Sequence, residues 1–320
     1  MNKKSPLVSI VLPVYGVEDF IEQAVRTLFE QTYSKIEYIF VDDCTKDRSI
    51  DIVRNVANEY PERLPHVNII KKEQNEGCSM ARKTGMDHVH GKYVMHLDPD
   101  DLTEPQMVES MVNNAERGDY DIVYADYYYS CNSCKEIIVR ESTVDNGIDF
   151  IQSVFLGKIH PCVWTKIYKT SLFDNIKYTK FFTFEDLIVN IQLLYKAKKI
   201  YHLQEPLYHY KAVVKGLNEN TMKSAYENLN MADKLIKEYA NREIMESFKF
   251  FLDGRKMVYI SRYGFRPTTY SMYVWGKRRH TSIYSLIKQN RDGFSLKVIV
   301  RILYTYIRLS ISDIYFFLNR

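Results

Sequence analysis

Residues 7–14 read LVSIVLPV, a short apolar run rich in β-branched side chains. Such a run is typical of a strand that is buried on both faces of a sheet. Further strand-like runs follow at 36–41, 67–71 and 92–97. Stretches with the helical spacing of apolar residues separate the four runs, at 18–32, 47–60 and 77–90. The alternation predicts an α/β fold, with a mostly parallel sheet and helices on both of its faces.

The pattern changes after residue 105. It predicts helices at 106–117, 147–157 and 185–197, a hairpin of strands at 121–129 and 135–140, and an extended segment at 199–211. Beyond about residue 222 the chain is predicted to be mostly helical. A polar stretch at 215–222 lies between these parts. We therefore expect a catalytic domain over 1–215 and a helical C-terminal extension over 216–320.

The 320 residues carry a formal net charge of +4, with 46% hydrophobic and 26% charged residues. These ordinary values exclude a disordered, collagen-like or polytopic membrane protein. The charge is uneven, because residues 277–320 carry +7 and residues 1–276 carry −3. Within 296–320 the basic residues share one stripe of a helix, which predicts a basic amphipathic helix on an anionic membrane surface. The alternative is a helix that packs on the catalytic domain.

The sequence gives three further expectations about the surroundings of the protein. No base-reading motif accompanies the basic tail, so no nucleic-acid partner is expected. An odd number of cysteines, five, and an N-terminus without a secretory segment favour a cytoplasmic protein. The basic tail adds the expectation that it is peripheral at the inner face of the plasma membrane. Cys131 and Cys134 invite a zinc interpretation, but a second pair at a matching spacing is absent, so a reduced hairpin turn is expected.

Polar residues at the carboxyl ends of parallel strands are the first candidates for chemistry, because ligands bind there. Asp98, Asp100 and Asp101 follow the strand at 92–97. Three carboxylates this close repel one another, and Mg²⁺ or Mn²⁺ would relieve the repulsion. A solvated acidic turn is the alternative. No glycine-rich dinucleotide or phosphate-binding loop follows the first strand, which weakens a dinucleotide-binding interpretation.

Four ordered blocks of sequence resemble the motifs of family 2 glycosyltransferases. The blocks are VSIVLPVY at 8–15, FVDDCTKDRS at 40–49, NEGCSMARKTG at 75–85 and GKYVMHLDPDD at 91–101, and a later Glu-Asp motif stands at 185–186. Cys44 occupies a position where glycine is common in the family. The resemblance covers roughly residues 6–215. It implies a GT-A (Rossmann-like) fold, a nucleotide-diphosphate sugar donor, expected to be a UDP-sugar, and inverting transfer.

The resemblance also implies roles for individual residues. Those expected to bind the nucleotide sugar are Pro13, Val14, Tyr15, Glu18, Asp42, Asp43, Arg82 and Asp98. Asp42 or Asp43 would accept hydrogen bonds from the base or ribose, and the sequence does not decide between them. Asp98 and Asp100 form the Asp-x-Asp pair, with Asp100 the expected direct metal ligand and Asp101 in support. Caps and solvated helix positions are the structural alternatives for these residues.

Asp186 is the candidate general base that removes the proton of the attacking hydroxyl, and Glu185 is its neighbouring alternative. Both residues could instead only cap a helix. His209 resembles a C-terminal metal-binding histidine of some GT-A enzymes, although a structural role is the alternative. Trp164 could stack on an acceptor sugar or pack in the core.

The sequence therefore predicts a metal-dependent inverting hexosyltransferase in cell-surface polysaccharide synthesis. Its expected acceptor is a saccharide or a lipid-linked saccharide. Two other classes stay open. A sugar nucleotidyltransferase shares the sheet and the carboxylate chemistry, but it favours a basic, glycine-rich loop after the first strand. A non-catalytic module that binds nucleotide sugar or membrane would have no need of Asp186.

Overall fold

The computed structural model describes residues 5–131, 134–156 and 158–212, together with individual residues between 224 and 238. The strands are β1 (Val8–Val14), β2 (Ile36–Asp42), β3 (Val67–Lys71), β4 (Tyr93–His96), β5 (Leu102–Thr103), β6 (Ile122–Cys131), β7 (Cys134–Val139), β8 (Lys166–Lys169) and β9 (Ile200–Ala212). The helices are α1 (Ile21–Phe29), α2 (Ser49–Asn58), α3 (Cys78–Met86), α4 (Met107–Gly118), α5 (Gly147–Leu156) and α6 (Glu185–Lys196).

Within the described residues, the strands form one sheet in the order β3-β2-β1-β4-β8-β6-β9-β5, and β7 pairs with β6. Strands β1 to β4 run parallel to one another. Strand β8 joins the two halves, because it pairs antiparallel with both β4 and β6. The predicted elements are therefore present, with ends that differ by a few residues. Strands β5 and β8 were not predicted, because two and four residues are too few to show a periodicity.

Both faces of the sheet are covered by apolar side chains. Every residue of β1 is buried, and alternate residues serve different cores. Val8, Ile10, Leu12 and Val14 pack with residues of α1, α2 and α4. Val11 belongs to the opposite core, which contains residues of α3, α5 and α6. This explains the uninterrupted apolar run in the sequence, since a strand covered on both faces has no solvent-facing side.

Helix α3 lies unusually close to the sheet, and this depends on Gly85. A Cβ atom at this position would stand 2.4 Å from Cγ1 of Val11, closer than two carbon atoms can approach without a shift. The close approach brings the first turns of α3, and with them Arg82, next to the end of β4. The fold thus places one basic residue over the acidic cluster that follows that strand.

The C-terminal extension is described only in part. Its described residues between 224 and 238 are helical. Ser224, Asn228, Ala232, Leu235 and Ile236 are buried, at the spacing of one helix face. The basic amphipathic segment predicted at 296–320 lies outside the described residues. Among the described residues, no helix is long and apolar enough to cross a membrane.

Candidate active site

Arg82 stands at the centre of the candidate site. Its guanidinium donates to Oδ1 of Asp98 at 2.5 Å through Nη2, and to Oδ1 of Asp186 at 2.7 Å through Nη1. Only 4% of the Arg82 surface is exposed, while both carboxylates keep about a fifth of their side-chain surface open. One buried cation therefore joins the aspartate after β4 to the aspartate at the start of α6. These residues are far apart in sequence and were singled out by different motifs.

The start of α6 carries two carboxyl groups in different environments. Asp186 accepts hydrogen bonds from Arg82 and, at 3.3 Å, from the backbone N–H of Val163. Burial, with the charge of Asp186, raises the pKa of Glu185 to about 8. Both effects disfavour the charged form of the Glu185 carboxyl. The environment thus favours Asp186 over Glu185 as a proton acceptor.

The acidic cluster after β4 is held by the last strand. Asp101 accepts a hydrogen bond from the Tyr208 hydroxyl at 2.8 Å and one from the Lys211 N–H at 3.0 Å. The Tyr208 oxygen also accepts a hydrogen bond from the Asp98 N–H. Burial, together with neighbouring carboxylates, raises the pKa of Asp98 to about 6 although the charge of Arg82 opposes it. The same two causes raise the pKa of Asp101 to about 8 against its hydrogen bonds from Lys211 and Tyr208. The cluster concentrates negative charge that a cation would relieve.

Asp100 opens onto a pocket of about 130 Å³ beside this cluster. The pocket is lined by Phe20, Gln23, Asp100, Leu102, Ser130, Glu136, His209 and Lys211. No group of three or more potential metal ligands stands together among the described residues. Two carboxylates, Asp98 and Asp100, nevertheless fit a Mg²⁺ or Mn²⁺ site, because such sites often combine one or two carboxylates with substrate phosphates.

His209 lines the same pocket as Asp100, but both of its ring nitrogens are engaged. Nε2 lies 2.9 Å from Glu104 and Nδ1 lies 3.0 Å from Glu136. The ring also stacks on Tyr128 with the centroids 4.4 Å apart. In this arrangement His209 connects β9 to residues of β6 and β7 and to the segment after β5. Metal binding by His209 stays a prediction, and it would require Nε2 or Nδ1 to leave a carboxylate.

The two aspartates at the carboxyl end of β2, Asp42 and Asp43, hold the segments that follow β2 and β3. Asp43 accepts hydrogen bonds from the N–H groups of Glu76 and Gly77, at 3.0 and 2.7 Å, and pairs with Lys72 at 2.9 Å. Asp42 accepts a hydrogen bond from the Thr45 N–H at 2.8 Å. Both side chains are largely buried. Asp43 therefore fixes the entry to α3, a contribution that the sequence motif does not reveal.

The loop between β2 and α2 closes on the residues after β1. Glu18 accepts a hydrogen bond from the Arg48 N–H at 3.0 Å, and its own N–H donates to Asp47 at 3.0 Å. Partial burial raises the pKa of Asp47, but hydrogen bonds from Ser49, Thr45 and backbone N–H groups outweigh it and lower that pKa to about 2. Cys44, where the family commonly has glycine, has a φ of +62°. Glycine adopts this left-handed conformation without a steric cost.

Pro13, Val14 and Tyr15 form the end of β1 and the residue after it. Pro13 and Val14 are buried, whereas Tyr15 is half exposed. The exposed Tyr15 ring lies next to Gly16, whose N–H donates to Thr45. Of the three predicted base-pocket residues, Tyr15 is the one with an aromatic surface open to a ligand.

Trp164 is almost completely buried, with 3% of its surface exposed. Its ring stacks on Tyr208 and Tyr210, with centroids 4.6 and 5.0 Å away. The structure therefore supports the packing alternative for Trp164. Its indole has no face open to an acceptor sugar, because the aromatic cluster covers it.

Cys131 is disulfide-bonded in the structure, whereas Cys44, Cys78 and Cys162 are free. The backbones of Cys131 and Cys134 face each other across the hairpin of β6 and β7. The expectation of a reduced hairpin turn is therefore wrong for this structure. The spacing of the two cysteines in the sequence does not show whether Cys131 is reduced or bonded.

Several supporting residues carry no sequence signal of their own. Lys166 on β8 is buried, and its Nζ donates to the Cys162 carbonyl at 2.6 Å. Asn190 on α6 donates to the carbonyls of Pro161 and Cys162, at 2.8 and 3.0 Å. Together they fix the segment whose Val163 N–H reaches Asp186.

Comparison with known proteins identifies the family. The family model described as "Glycosyl transferase family 2" matches residues 9–185, which is more than half of the chain. EpsJ of Bacillus subtilis, described as an uncharacterized glycosyltransferase, is 31% identical over 243 residues, with coverage of 73% of this chain and 68% of EpsJ. The chain belongs to glycosyl transferase family 2. The predicted family is thereby confirmed.

More distant relatives and solved structures agree with this assignment. The minor teichoic acid biosynthesis protein GgaB of B. subtilis is 27% identical over 227 residues, covering 69% of this chain and 24% of GgaB. S. aureus TarS, solved in complex with UDP, has a TM-score of 0.67 at 15% identity, covering 94% of this chain and 87% of that chain. The mannosyltransferase PcManGT from Pyrobaculum calidifontis, with GDP-Man and Mn²⁺, has a TM-score of 0.59 at 14% identity, covering 95% and 87%. These structural likenesses confirm the predicted GT-A fold.

Proposed function

We propose that this glycosyltransferase moves a sugar, with inversion, from a nucleotide-diphosphate donor to a hydroxyl of a saccharide or lipid-linked saccharide. The observation that carries the proposal is the bridge from Arg82 to Asp98 and Asp186. Through this bridge Asp98 of the donor motif and Asp186, the candidate base, both accept hydrogen bonds from one guanidinium group. Inverting transfer needs a base on the side of the anomeric carbon opposite the leaving diphosphate, so the two aspartates must stand near one another.

The donor would bind along the carboxyl ends of β1, β2 and β4. Tyr15 offers a ring to the base, and Asp42 stands at the end of β2 beside it in the sheet. Solved neighbours contain UDP, UDP-GlcNAc and GDP-Man, which supports a nucleotide-sugar donor. Because Asp43 already accepts three donors from this chain, Asp42 is the better candidate for the ribose or base.

Asp98 and Asp100 would hold a Mg²⁺ or Mn²⁺ ion. A bound divalent cation neutralises charge on the departing diphosphate as a Lewis acid. Arg82 contributes a fixed positive charge at the same place, and its burial keeps that charge poorly screened by solvent. The PcManGT structure with Mn²⁺ supports this part of the proposal.

Asp186 would remove the proton of the acceptor hydroxyl as that oxygen attacks. The N–H of Val163 and the guanidinium of Arg82 fix the orientation of its carboxylate. Each carboxylate oxygen has a second lone pair, so both contacts leave capacity to accept a proton. Positioned bases of this kind contribute about 10²–10⁴-fold to a rate.

The enzyme would act in the synthesis of a cell-surface polymer, and it would do so at the inner face of the membrane. The relationship to GgaB supports the polymer part of this proposal. The membrane part rests on the basic segment at 296–320, and co-sedimentation with anionic vesicles tests it. Equal binding to neutral and anionic vesicles would contradict it.

The proposal is tested with UDP-glucose, UDP-galactose, UDP-N-acetylglucosamine and GDP-mannose, each with Mn²⁺. We expect Mn²⁺-dependent hydrolysis of at least one donor, and loss of that hydrolysis in Asp100→Ala. Asp51→Asn, on an exposed surface of α2, is the matched control. If no donor is hydrolysed or bound, or if Asp100→Ala hydrolyses at the rate of Asp51→Asn, the proposal is wrong.

A further inference from the structure

The loop from Thr179 to Phe184 leads directly into the helix that carries Asp186. It exposes two aromatic rings, because 37% of Phe181 and 52% of Phe182 are open to solvent. Phe181 and Phe182 stand five and four residues before the candidate base, Asp186. Exposed apolar side chains are common on protein surfaces, but these two stand directly before the helix of the candidate base and are open to a ligand there.

The loop also borders the donor side of the site. The hydrogen bond and charge of Lys72 lower the pKa of Glu76, and the charge of Lys180 adds to them. Lys180 therefore lies within electrostatic reach of the segment that Asp43 holds before α3. At its other end, the loop continues through Phe184, which caps α6 with a φ of +66°. The loop thus leads from Lys180, whose charge acts on Glu76, to the helix that carries Asp186.

A buried residue of the C-terminal extension fixes this loop. Asn228 has no exposed surface, and its Nδ2 donates to the carbonyls of Phe181 and Thr183, at 3.1 and 2.8 Å. Its Oδ1 accepts a hydrogen bond from the Thr179 hydroxyl at 2.7 Å. The Thr179 oxygen in turn accepts the N–H of Phe181. One side chain therefore determines the path of the loop at three points.

Asn228 lies outside the family match, which ends at residue 185, whereas its partners Thr179, Phe181 and Thr183 lie inside that match. Apolar residues on the same helix face, Ala232, Leu235 and Ile236, are buried and anchor it. A salt bridge of 2.8 Å between Lys177 and Glu238 lies at the exposed rim. The extension is thus joined to the loop by a buried polar contact, which is costly to leave unsatisfied.

We propose that the loop Thr179–Phe184 is the acceptor edge of the active site. Phe181 and Phe182 contact the sugar rings of a saccharide acceptor, and Asn228 is the positioning residue that holds them there. Pyranose rings have an apolar face of C–H bonds, and exposed aromatic rings bind such faces while excluding water. This inference rests on the proposed function and names where its acceptor binds.

Saturation-transfer NMR tests the acceptor edge, with methyl β-glycosides of glucose, galactose, N-acetylglucosamine and mannose as probes in the presence of UDP and Mn²⁺. We expect a signal from at least one probe, reduced at least fivefold in Phe182→Ala and largely restored in Phe182→Tyr. Leu64→Ala removes an exposed apolar residue from the turn before β3 and is the matched control. No signal from any probe, or equal signals in Phe182→Ala and Leu64→Ala, would overturn the inference.

The positioning role is tested by Asn228→Asp, which keeps the shape of the side chain but removes both N–H donors. Thr179→Val removes the hydroxyl contact and serves as a second variant if Asn228→Asp fails to fold. We expect each to lower glycoside binding more than hydrolysis of the donor. Glu238→Gln, at the exposed rim of the same contact, is the control. Equal losses of glycoside binding and of donor hydrolysis would show that Asn228 has a purely structural role, and this would contradict the proposal.

These outcomes separate the acceptor inference from the proposed function. Thermal stabilisation by UDP and Mn²⁺ is measured on the same samples. If the wild-type protein shows no such stabilisation, the proposed function fails. If it is stabilised but the glycoside results do not follow the loop variants, the acceptor inference alone fails.

Discussion

The two halves of the sheet build the candidate site in different ways. Strands β1 to β4 present their side chains at adjoining strand ends, and short contiguous motifs supply them. The half from β6 to β9 contributes Asp186 through contacts between residues that are distant in sequence. The difference shows why the first half can be recognised from its motifs. In the second half only the Glu-Asp motif at 185–186 is visible in the sequence, and the contacts that hold Asp186 depend on packing that motifs do not encode.

The largest expected effect lies where the two halves meet. Asp186→Asn removes the proton acceptor while it keeps the shape of the side chain, so transfer should fall by about 10²–10⁴-fold. Glu185→Gln is the matched control, because burial and the charge of Asp186 already favour the neutral form of the Glu185 carboxyl, which an amide resembles. Initial rates of sugar transfer with a saturating donor measure both variants. Similar losses in the two variants would mean that Asp186 is not the specific base.

The next largest effect is expected when Arg82, which links the two halves, is replaced. Arg82→Met leaves Asp98 and Asp186 without their shared cation, and breaking a buried ion pair costs about 3–5 kcal/mol. Because both aspartates keep some contact with solvent, we expect a loss of unfolding free energy of about 3 kcal/mol. Urea denaturation measures it. Arg54→Met on the exposed face of α2 is the control, and a similar small loss in both would contradict a central role for Arg82.

A smaller effect is expected in the donor half alone. Asp47 accepts hydrogen bonds from Ser49, Thr45 and the Glu18 N–H, so Asp47→Asn should lower the unfolding free energy by about 1–2 kcal/mol near pH 7. The pKa of Asp47 is about 2 in the folded protein, below its usual value of 3.8. Its stabilising contribution is therefore present above pH 4 and is lost as the pH falls towards 2. Denaturation of both proteins between pH 2 and 7 should show the difference shrinking at low pH, and a constant difference would contradict this.

The smallest effect concerns Cys44. A non-glycine residue at a φ of +62° is strained by about 1–2 kcal/mol, and glycine would relieve this strain. Part of the relief is offset, because glycine has more conformational freedom to lose when the chain folds. Cys44→Gly should therefore raise the unfolding free energy by about 0.5–1 kcal/mol. Cys44→Ala is the control, since alanine has the same backbone restriction. Equal stabilities of the two variants would show that the backbone conformation is not the source of strain.

The difference between the two halves of the sheet also explains which features could be predicted from the sequence. The long periodic elements were predicted because each buries a face that leaves a pattern in the sequence. The family resemblance supplied Arg82, Asp98 and Asp186, but not the fact that one guanidinium joins them. Asn228, Asn190 and Lys166 were missed, because a polar residue that is buried by tertiary contacts looks like a surface residue in sequence. Trp164 was ambiguous for the opposite reason, since its partners on β9 appear only in the fold.

The central claim is that Asp98 and Asp100 form a cation-dependent nucleotide site joined through Arg82 to Asp186. The most direct measurement is the shift in melting temperature caused by UDP or GDP with Mn²⁺. A ligand at about 100 times its Kd stabilises the folded state by about 2.7 kcal/mol. The account predicts that stabilisation for the wild type and for Asp186→Asn, and its loss in Asp100→Asn or without Mn²⁺. Equal stabilisation of Asp100→Asn and the wild type would contradict it.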